Sequence, residues 1–313
     1  MAEAAAATKE PGVKVVKQIS GRANLAINIF FWIYTCLCVF PLLVVLIASF
    51  TDENTILVNG YSLFPEKWSL GAYDFLLKDW WAIVDSYLYS ILLTVCGTII
   101  SLTMMSMYAF PISRKDYPLR NTFSFFMFFT ILFNGGLVPF YLVYTQGLQL
   151  QNTFLVLMMP LFISGFFVLL IRTFFANSIP KDLFESAKID GAGEWRIFAT
   201  IVLPLSMPVL ATVGLFTTLN YWNDWFLSLL FINDSNAIVT IQFRMYKVLL
   251  DIQNLSANTA AYSAIVANNP GFTMPGETAR MAMAVVGIGP IILAYPFFQR
   301  YFVEGLTVGA VKG

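Results

Sequence analysis

Histidine is absent from this sequence of 313 residues, and cysteine occurs only three times. Cys36, Cys38 and Cys96 all lie inside apolar runs, where we expect them to be small buried hydrophobic residues. The usual nitrogen and sulfur metal sites therefore cannot be assembled, and neither can the Ser-His and Cys-His pairs of nucleophilic catalysis. These absences predict a chain with no metal centre and no redox role.

A nucleotide-binding loop is also missing. The sequence has no Gly-Lys pair, so it lacks the G-x-x-x-x-G-K-[ST] loop with which a built-in ATPase would hold phosphate. No pair of carboxylates within the apolar runs suggests an acid-base centre. We therefore predict that the chain is not an enzyme and has no cofactor of its own.

Charge is scarce, while apolar residues are abundant. Charged residues make up 12% of the chain and hydrophobic residues 58%, which leaves too little polar surface to cover a soluble globule. Crossing roughly 30 Å of hydrocarbon takes about 20 helical residues. Six runs are long enough to do so: 25–50, 86–110, 121–144, 153–175, 205–231 and 281–303. The sequence thus predicts an all-α membrane protein with six transmembrane helices.

The positions of Lys and Arg predict the orientation, because positively charged loops stay on the cytoplasmic side. One side carries Lys9, Lys14, Lys17, Arg22, Arg114, Lys115, Arg120, Arg172, Lys181, Lys188, Arg196, Arg300 and Lys312. The other side carries only Lys67, Lys78, Arg244, Lys247 and Arg280. Both termini are therefore expected in the cytoplasm. The formal net charge of zero hides this asymmetry, and it gives no indication of nucleic-acid binding.

The helices are expected to form one domain, because neither an internal repeat nor a Ser- or Gly-rich linker divides them. This six-helix domain covers 25–303, between cytoplasmic tails at 1–24 and 304–313. The loops at 51–85 and 232–280 should face outward, and the second is long enough to form structure of its own.

The loop at 178–204, between the fourth and fifth runs, is unusually polar for this chain. Ser178 and Pro180 are typical of a helix start, with a capping hydroxyl and a proline in the first turn. Leu183, Phe184 and Ala187 recur at three- and four-residue spacing, which predicts one apolar face. Gly191-Ala192-Gly193 predicts a bend between two short helices, and Pro204 predicts a second bend before the fifth span. The expected product is a helix-turn-helix on the cytoplasmic face.

The spacing within this loop resembles the EAA loop of bacterial ABC importer permeases. That loop follows the pattern E-A-A, three residues, G, nine residues, I-x-L-P, and this chain departs from it only at Ser186. In the family, the loop is the coupling helix that docks on a separate ATPase subunit, and so we call 178–204 the coupling loop. The resemblance implies that the ATPase-coupling residues are Glu185, Ser186, Ala187, Asp190, Gly191, Ile201, Leu203 and Pro204.

Three further stretches are similar to the carbohydrate-uptake, maltose-permease-like group, in the branch with the LplC-like and aldouronate-type permeases. They are NGGLVPFYL at 134–142, NTFLVLMMP at 152–160 and EGLTVGAVKG at 304–313. The resemblance implies a type-I ABC importer (MetI-like) permease fold in the bacterial cytoplasmic membrane. It also implies the partners: a second, different permease, an ATPase dimer that binds ATP and Mg, and an extracytoplasmic binding protein that delivers a carbohydrate, expected to be an oligosaccharide.

Polar residues within the apolar runs are candidates for the substrate path, because they are costly at bilayer depth. The densest set is in the fifth run and comprises Asn220, Trp222, Asn223 and Asp224. Aromatic faces beside amides and a carboxylate suit a sugar, but the same residues could pack against a partner permease. Asn134-Gly135-Gly136 interrupts the third run and could either line the path or allow a close helix contact.

Two other classes of protein remain open at this point. An ion-coupled secondary transporter would usually show internal repeats and charged relay residues in its spans. A non-transporting membrane scaffold would need neither these features nor a coupling loop. Association with an ATPase separates the importer from both.

Overall fold

A computed structural model of the chain describes residues 21–233, 238–258 and 276–293, together with 296, 298 and 299. These residues form helices and one isolated antiparallel bridge between Thr51 and Trp68. Most of the N-terminal tail, much of the loop at 232–280, most of the sixth run beyond 293 and the whole C-terminal tail lie outside them.

Two helices are long and apolar enough to cross a membrane as single elements. Helix α1 is Gly21–Ser49 and consists mostly of exposed apolar side chains, as expected of a helix that faces lipid or a partner chain. Short helices α2 (Glu53–Asn59) and α3 (Gly71–Leu76) follow in the loop at 51–85. Helix α4 is Trp80–Ser113, 34 residues long.

Three further spans are pairs of helices with a sharp bend. In the first, α5 (Arg120–Leu132) meets α6 (Leu137–Leu142), which continues as a π-helical turn to Gly147, at 114°. In the second, α7 (Phe154–Met158) with a 3₁₀ turn to Leu161 meets α8 (Gly165–Ser178) at 51°. With a third bent pair, Glu194–Leu205 and Met207–Asn223, the described residues supply up to five spans.

The coupling loop and the fifth span form the third bent pair. Helix α9 (Lys181–Ile189) is followed by α10 (Glu194–Ile197), a π-helical turn and α11 (Leu203–Leu205). The continuous stretch Glu194–Leu205 meets α12 (Met207–Asn223) at 79°.

The fifth run is not one continuous helix to Phe231, contrary to the expectation from its apolar sequence. Helix α12 ends at Asn223, and α13 covers only Phe226–Phe231. Asp224 between them is extended, with φ −75° and ψ 116°. Its carboxylate accepts the backbone N–H of Leu227 at 3.2 Å. An aspartate that satisfies the free N–H groups of a new helix favours such a break.

The loop at 232–280 contains α14 (Ile241–Ala257), which agrees with the prediction that it forms structure of its own. The sixth run begins within α15 (Glu277–Ile288), followed by a 3₁₀ segment to Leu293. Its remainder, residues 294–303, lies almost entirely outside the described part, so the sixth span stays a prediction.

The interruption expected in the third run is present between α5 and α6. The side-chain oxygen of Asn134 accepts the N–H of Gly136 at 2.8 Å, and Gly136 has φ 85°, which favours glycine. A side chain at Gly136 would meet no atom of the described chain within 4 Å. The glycine therefore serves the turn, and it makes no close helix contact within the described chain.

Helix α4 is the centre of the packing and contacts α8, α12 and α14. Hydroxyl groups join α4 to α12: Thr98 Oγ1 lies 3.2 Å from Thr218 Oγ1, and Ser101 Oγ lies 3.0 Å from the Tyr221 hydroxyl. Such bonds stabilise helix pairs where lipid supplies no hydrophobic driving force. At the C-terminal end of α4, a cluster of buried apolar residues, here called the α4 end cluster, also includes Ala187 of α9 and Ile197 of α10.

Gly97 of α4 is required for the contact with α12. A Cβ atom at this position would lie 2.5 Å from Cζ of Tyr221, whose hydroxyl also donates to the carbonyl of Met158 at 3.0 Å. We predict that Gly97→Ala destabilises the protein by about 1–3 kcal/mol, because the tyrosine cannot move without losing these bonds. Thermal unfolding in detergent measures this, with Gly147→Ala as control because its Cβ would meet no atom within 4 Å. Equal melting temperatures for the two variants would contradict the assignment.

Candidate coupling and translocation sites

The coupling loop has the helix-turn-helix form that the sequence predicts. Gly191 has φ 74°, a conformation that most side chains disfavour, and it lies between α9 and α10. The N–H of Gly191 donates to the carbonyl of Lys188 at 3.0 Å, and the N–H of Ala192 donates to that of Ala187 at 2.9 Å. This pair of bonds is the Schellman motif, which closes the C-terminus of α9.

The start of α9 differs from the prediction. Ser178 is the last residue of α8 and provides no cap, because the chain is extended at Ile179 and Pro180 before α9 begins at Lys181. Asp182 lies in the first turn, where its negative charge favours the helix dipole. The Ser186 hydroxyl donates to the carbonyl of Asp182 at 2.8 Å, so this departure from the family pattern is accommodated within the helix.

Helix α9 contacts the membrane domain through a narrower apolar face than the sequence predicts. Ala187 is buried in the α4 end cluster, and Phe184 packs against it. Leu183, predicted to share this face, is 39% exposed. Because α9 has only nine residues, the side chains of Phe184 and Ala187 are enough to hold it against the cluster. Leu183 lies at the edge of this apolar face.

The second half of the coupling loop joins the cluster and then turns into the membrane. Ile201 and Leu203 pack against the buried residues, and Pro204 is exposed. Phe198–Val202 is π-helical, which is consistent with a proline at 204 that cannot donate a backbone hydrogen bond. The sequence predicts this bend at Pro204. In the structure it lies at Ser206, two residues further along the chain.

A charge network attaches the coupling loop to the end of α4. Arg114 donates to Asp116 through Nε at 3.0 Å and Nη2 at 2.6 Å, and to Glu194 Oε2 through Nη1 at 2.5 Å. Lys188 of α9 lies 3.4 Å from Glu194 Oε1 and 3.6 Å from Asp116 Oδ2. The guanidinium also lies 5.3 Å from the ring centroid of Phe184. Arg114, whose side chain is only 12% exposed, thus contacts both short helices of the loop.

The ionisation of Asp116 keeps this network intact at neutral pH. The hydrogen bond from Arg114, more than any other contact, lowers the pKa of the Asp116 carboxyl below its ordinary value of 3.8. Because this pKa is lower in the folded state, the Arg114–Asp116 pair makes its full contribution to the free energy of unfolding at any pH above the ordinary pKa of the carboxyl. It is lost only as the pH falls through the lower folded-state pKa.

The surface of the coupling loop combines acidic and apolar side chains. Glu185, Asp190 and Gly191 are exposed, while Ile189 is 86% and Trp195 is 70% exposed. Two large apolar side chains so exposed at the end of a short helix-turn-helix are typical of a protein contact. This face therefore has the composition of a docking surface.

The candidate substrate-path residues are separated by the structure. Asn220 lines a cavity of about 450 Å³ between α5, α12 and the break that precedes α8, together with Thr217, Thr130 and Ser164. The Thr217 hydroxyl is buried and has no hydrogen-bond partner in the described structure. Unpaired polar groups at a broken helix are expected where a membrane protein encloses a polar path.

Asn223, one turn further along α12, lines a second cavity of about 720 Å³ against α14 and α15. The other two candidates do not reach either cavity. Trp222 is buried and its indole N–H donates to the carbonyl of Gly287 at 3.0 Å. Asp224 caps α13 as described above. The sequence pattern predicted that all four residues line the same path. It could not show that the helix ends at Asn223.

Comparison with known proteins identifies the family. The sequence model described as "Binding-protein-dependent transport system inner membrane component" matches residues 17–308. The chain belongs to this family. It is a transport component of the inner membrane, and the matched residues include the coupling loop at 178–204.

Relatives from Bacillus subtilis (strain 168) match nearly the whole chain. The polygalacturonan/rhamnogalacturonan transport system permease protein YtcP is 35% identical over 284 residues, which is 91% of this chain and 96% of YtcP. Protein LplC is 34% identical over 275 residues, which is 88% of this chain and 90% of LplC. The predicted resemblance to the LplC-like branch of sugar permeases is confirmed.

The fold matches a solved structure. A chain of a bacterial ABC transporter involved in the import of the acidic polysaccharide alginate superimposes with a TM-score of 0.74. The match covers 93% of this chain and 100% of that chain, with 23% sequence identity. The prediction of an ABC importer permease fold is confirmed by this likeness.

Proposed function

We propose that the chain is one permease subunit of an ATP-driven carbohydrate importer and that its substrate is an oligosaccharide. The single observation that carries the proposal is the coupling loop: a Schellman-capped helix-turn-helix with exposed Ile189 and Trp195, fixed to α4 by Arg114. The sugar-transport names of the two Bacillus relatives support the substrate class.

In this proposal the coupling loop transmits the movement of an ATPase dimer, which binds ATP and Mg. Closure of the dimer would draw the loop toward its counterpart on a second, different permease, and Arg114 would pass the displacement to α4. Alternating access then follows as a shift between two packed arrangements of the spans. An extracytoplasmic binding protein delivers the sugar from the other side.

The translocation path in this proposal runs along α12. Asn220 lies beside the cavity of about 450 Å³ and Asn223 beside that of about 720 Å³, one turn apart on the same helix. Amide groups and hydroxyls at intervals suit a substrate with many hydroxyls, which can exchange one set of hydrogen bonds for the next. Trp222 and Asp224 support this path indirectly, because they fix the end of α12 and the start of α13.

The proposal is tested by assembly and transport. We expect the tagged chain to co-purify with an ATPase and a second permease from the same organism, and to take up labelled oligosaccharide in proteoliposomes only with ATP and a binding protein. Uptake driven by an ion gradient without ATP would instead favour a secondary transporter. Stable expression with no ATPase partner and no uptake would favour a membrane scaffold.

A further inference from the structure

The cavity beside Asn223 combines features that suit a sugar ring. We call it the α14 cavity; of the described residues, those that line it come from α12, α14, α15 and the turns beside them. Its volume of about 720 Å³ lies in the usual range for small-ligand sites. Trp225 and Tyr246 line it as a stacked pair, with ring centroids 4.5 Å apart, and Asn223, Gln242 and Gln253 supply amide groups.

The charge that lines this cavity is positive. Of the described residues that line it, Arg280 alone is charged. Arg280 lies in the first turn of α15, one helical turn before Met283 and Ala284, which also line the cavity. A guanidinium among apolar rings and neutral amides favours an anionic group, and its planar donors match a carboxylate in particular.

The existing partner of Arg280 leaves donors for a ligand. Nη1 of Arg280 donates to Glu277 Oε1 at 2.6 Å, while the other oxygen of Glu277 accepts the Tyr61 hydroxyl at 2.9 Å. A guanidinium has five N–H donors, and this contact uses one nitrogen only. Glu277 is thus shared with Tyr61 and does not form a two-point pair with Arg280.

We propose that the α14 cavity is a subsite for a carboxylate-bearing sugar residue, with Arg280 as the group that selects the acid. The Trp225–Tyr246 pair offers apolar surface to the ring, and the amides of Asn223 and Gln253 offer hydrogen bonds to its hydroxyls. This inference rests on the proposed function, since it names the substrate class of the same path. It goes beyond that function because it makes this subunit a determinant of charge selectivity.

The test compares an acid with its neutral counterpart in the complete reconstituted importer. The probes are trigalacturonate and the neutral trisaccharide obtained by reducing its carboxylates. For Arg280→Gln we expect ATP-dependent uptake of the acid to fall about tenfold or more, because a charge-assisted bond is lost. Uptake of the neutral trisaccharide should change less than about twofold, since the exposed contact with Glu277 contributes little to stability.

Two further variants sharpen the comparison. Arg280→Lys keeps the charge without the planar donors and should retain part of the uptake of the acid. Lys247→Gln removes the same charge from α14, but Lys247 lies over the ring of Phe243 and does not line the cavity. It should leave both substrates unaffected.

Failure of the subsite proposal and failure of the proposed function give different results. Equal uptake of the acid by Arg280→Gln and the unmodified complex would overturn the subsite, as would an equal loss for both probes, which indicates packing or a covering partner protein. Import of neutral oligosaccharides alone by the unmodified complex would also overturn it while leaving the proposed function intact. The absence of ATP-dependent uptake of any oligosaccharide would contradict the proposed function itself.

Discussion

Replacing Gly191 by valine is expected to reduce import about tenfold while the protein remains inserted at its normal level. Gly191 has φ 74°, and a left-handed conformation costs an ordinary residue roughly 1–2 kcal/mol, more for a branched one. An energy of that size lowers the ratio of the bent to the unbent loop by about five- to thirtyfold. The two short helices would then no longer present Ile189 of α9 and Trp195 of α10 together. Sugar uptake in proteoliposomes, normalised to assembled complex, measures the effect.

Two variants separate strain from volume in this prediction. Gly191→Asn adds a side chain that tolerates the left-handed region and should retain most of the import. Gly193→Ser adds atoms two residues away, where the backbone is extended (φ −72°, ψ 163°) and no described atom lies within 4 Å of the new Cβ. It should behave like the unmodified protein. Full import by the valine variant would show that the bend is not needed for coupling.

The bend at Gly191 could be predicted from the sequence because its cause is local. A glycine four residues after Ala187, between two short polar helices, has few alternatives to a C-terminal cap. The apolar runs that form α1 and α4 were predictable for the same reason, since the length of hydrocarbon to be crossed fixes the length of the helix. A glycine at a helix end and the length of an apolar run reflect the local backbone and the surrounding solvent, so neither depends on contacts with distant residues.

The end of α12 could not be predicted in this way. The run from Leu205 to Phe231 is apolar almost throughout, and its polar residues fit a helical face as well as a break. The break depends on which group the Asp224 carboxylate accepts, and the position of Trp222 depends on the carbonyl of Gly287, 65 residues away. Contacts between distant residues decide such cases, and no local pattern contains them.

Arg114, the centre of the charge network at the coupling loop, is the candidate site residue that sequence reasoning missed. In the sequence it is one of 18 basic residues and served only to orient the chain. Its partner Glu194 is 80 residues away, so spacing gave no indication of the pair. The one available signal was its position directly after a span, in the loop that faces the same side as the coupling loop. That signal applies equally to Lys115, which is exposed.

The second large effect is expected at this residue: Arg114→Gln should uncouple ATP hydrolysis from import. The change removes three hydrogen bonds to Asp116 and Glu194 and the contact with the Phe184 ring, while leaving the apolar seat of Ala187 in place. Both carboxylates are more than half exposed, so water replaces part of the loss. We expect a net cost of about 1–2 kcal/mol in the attachment of the loop.

A cost of that size weakens the connection without unfolding the domain, so the ATPase should still bind and hydrolyse ATP. The measured quantity is the amount of sugar imported per ATP hydrolysed, which we expect to fall about five- to thirtyfold. Lys115→Gln removes a neighbouring charge and should leave the ratio unchanged. A purely structural role predicts a different result, in which less complex assembles but each complex imports as much sugar per ATP. An unchanged ratio in Arg114→Gln would therefore exclude Arg114 from transmission, because movement of the coupling loop would then reach α4 through the apolar contacts of Phe184 and Ala187 alone.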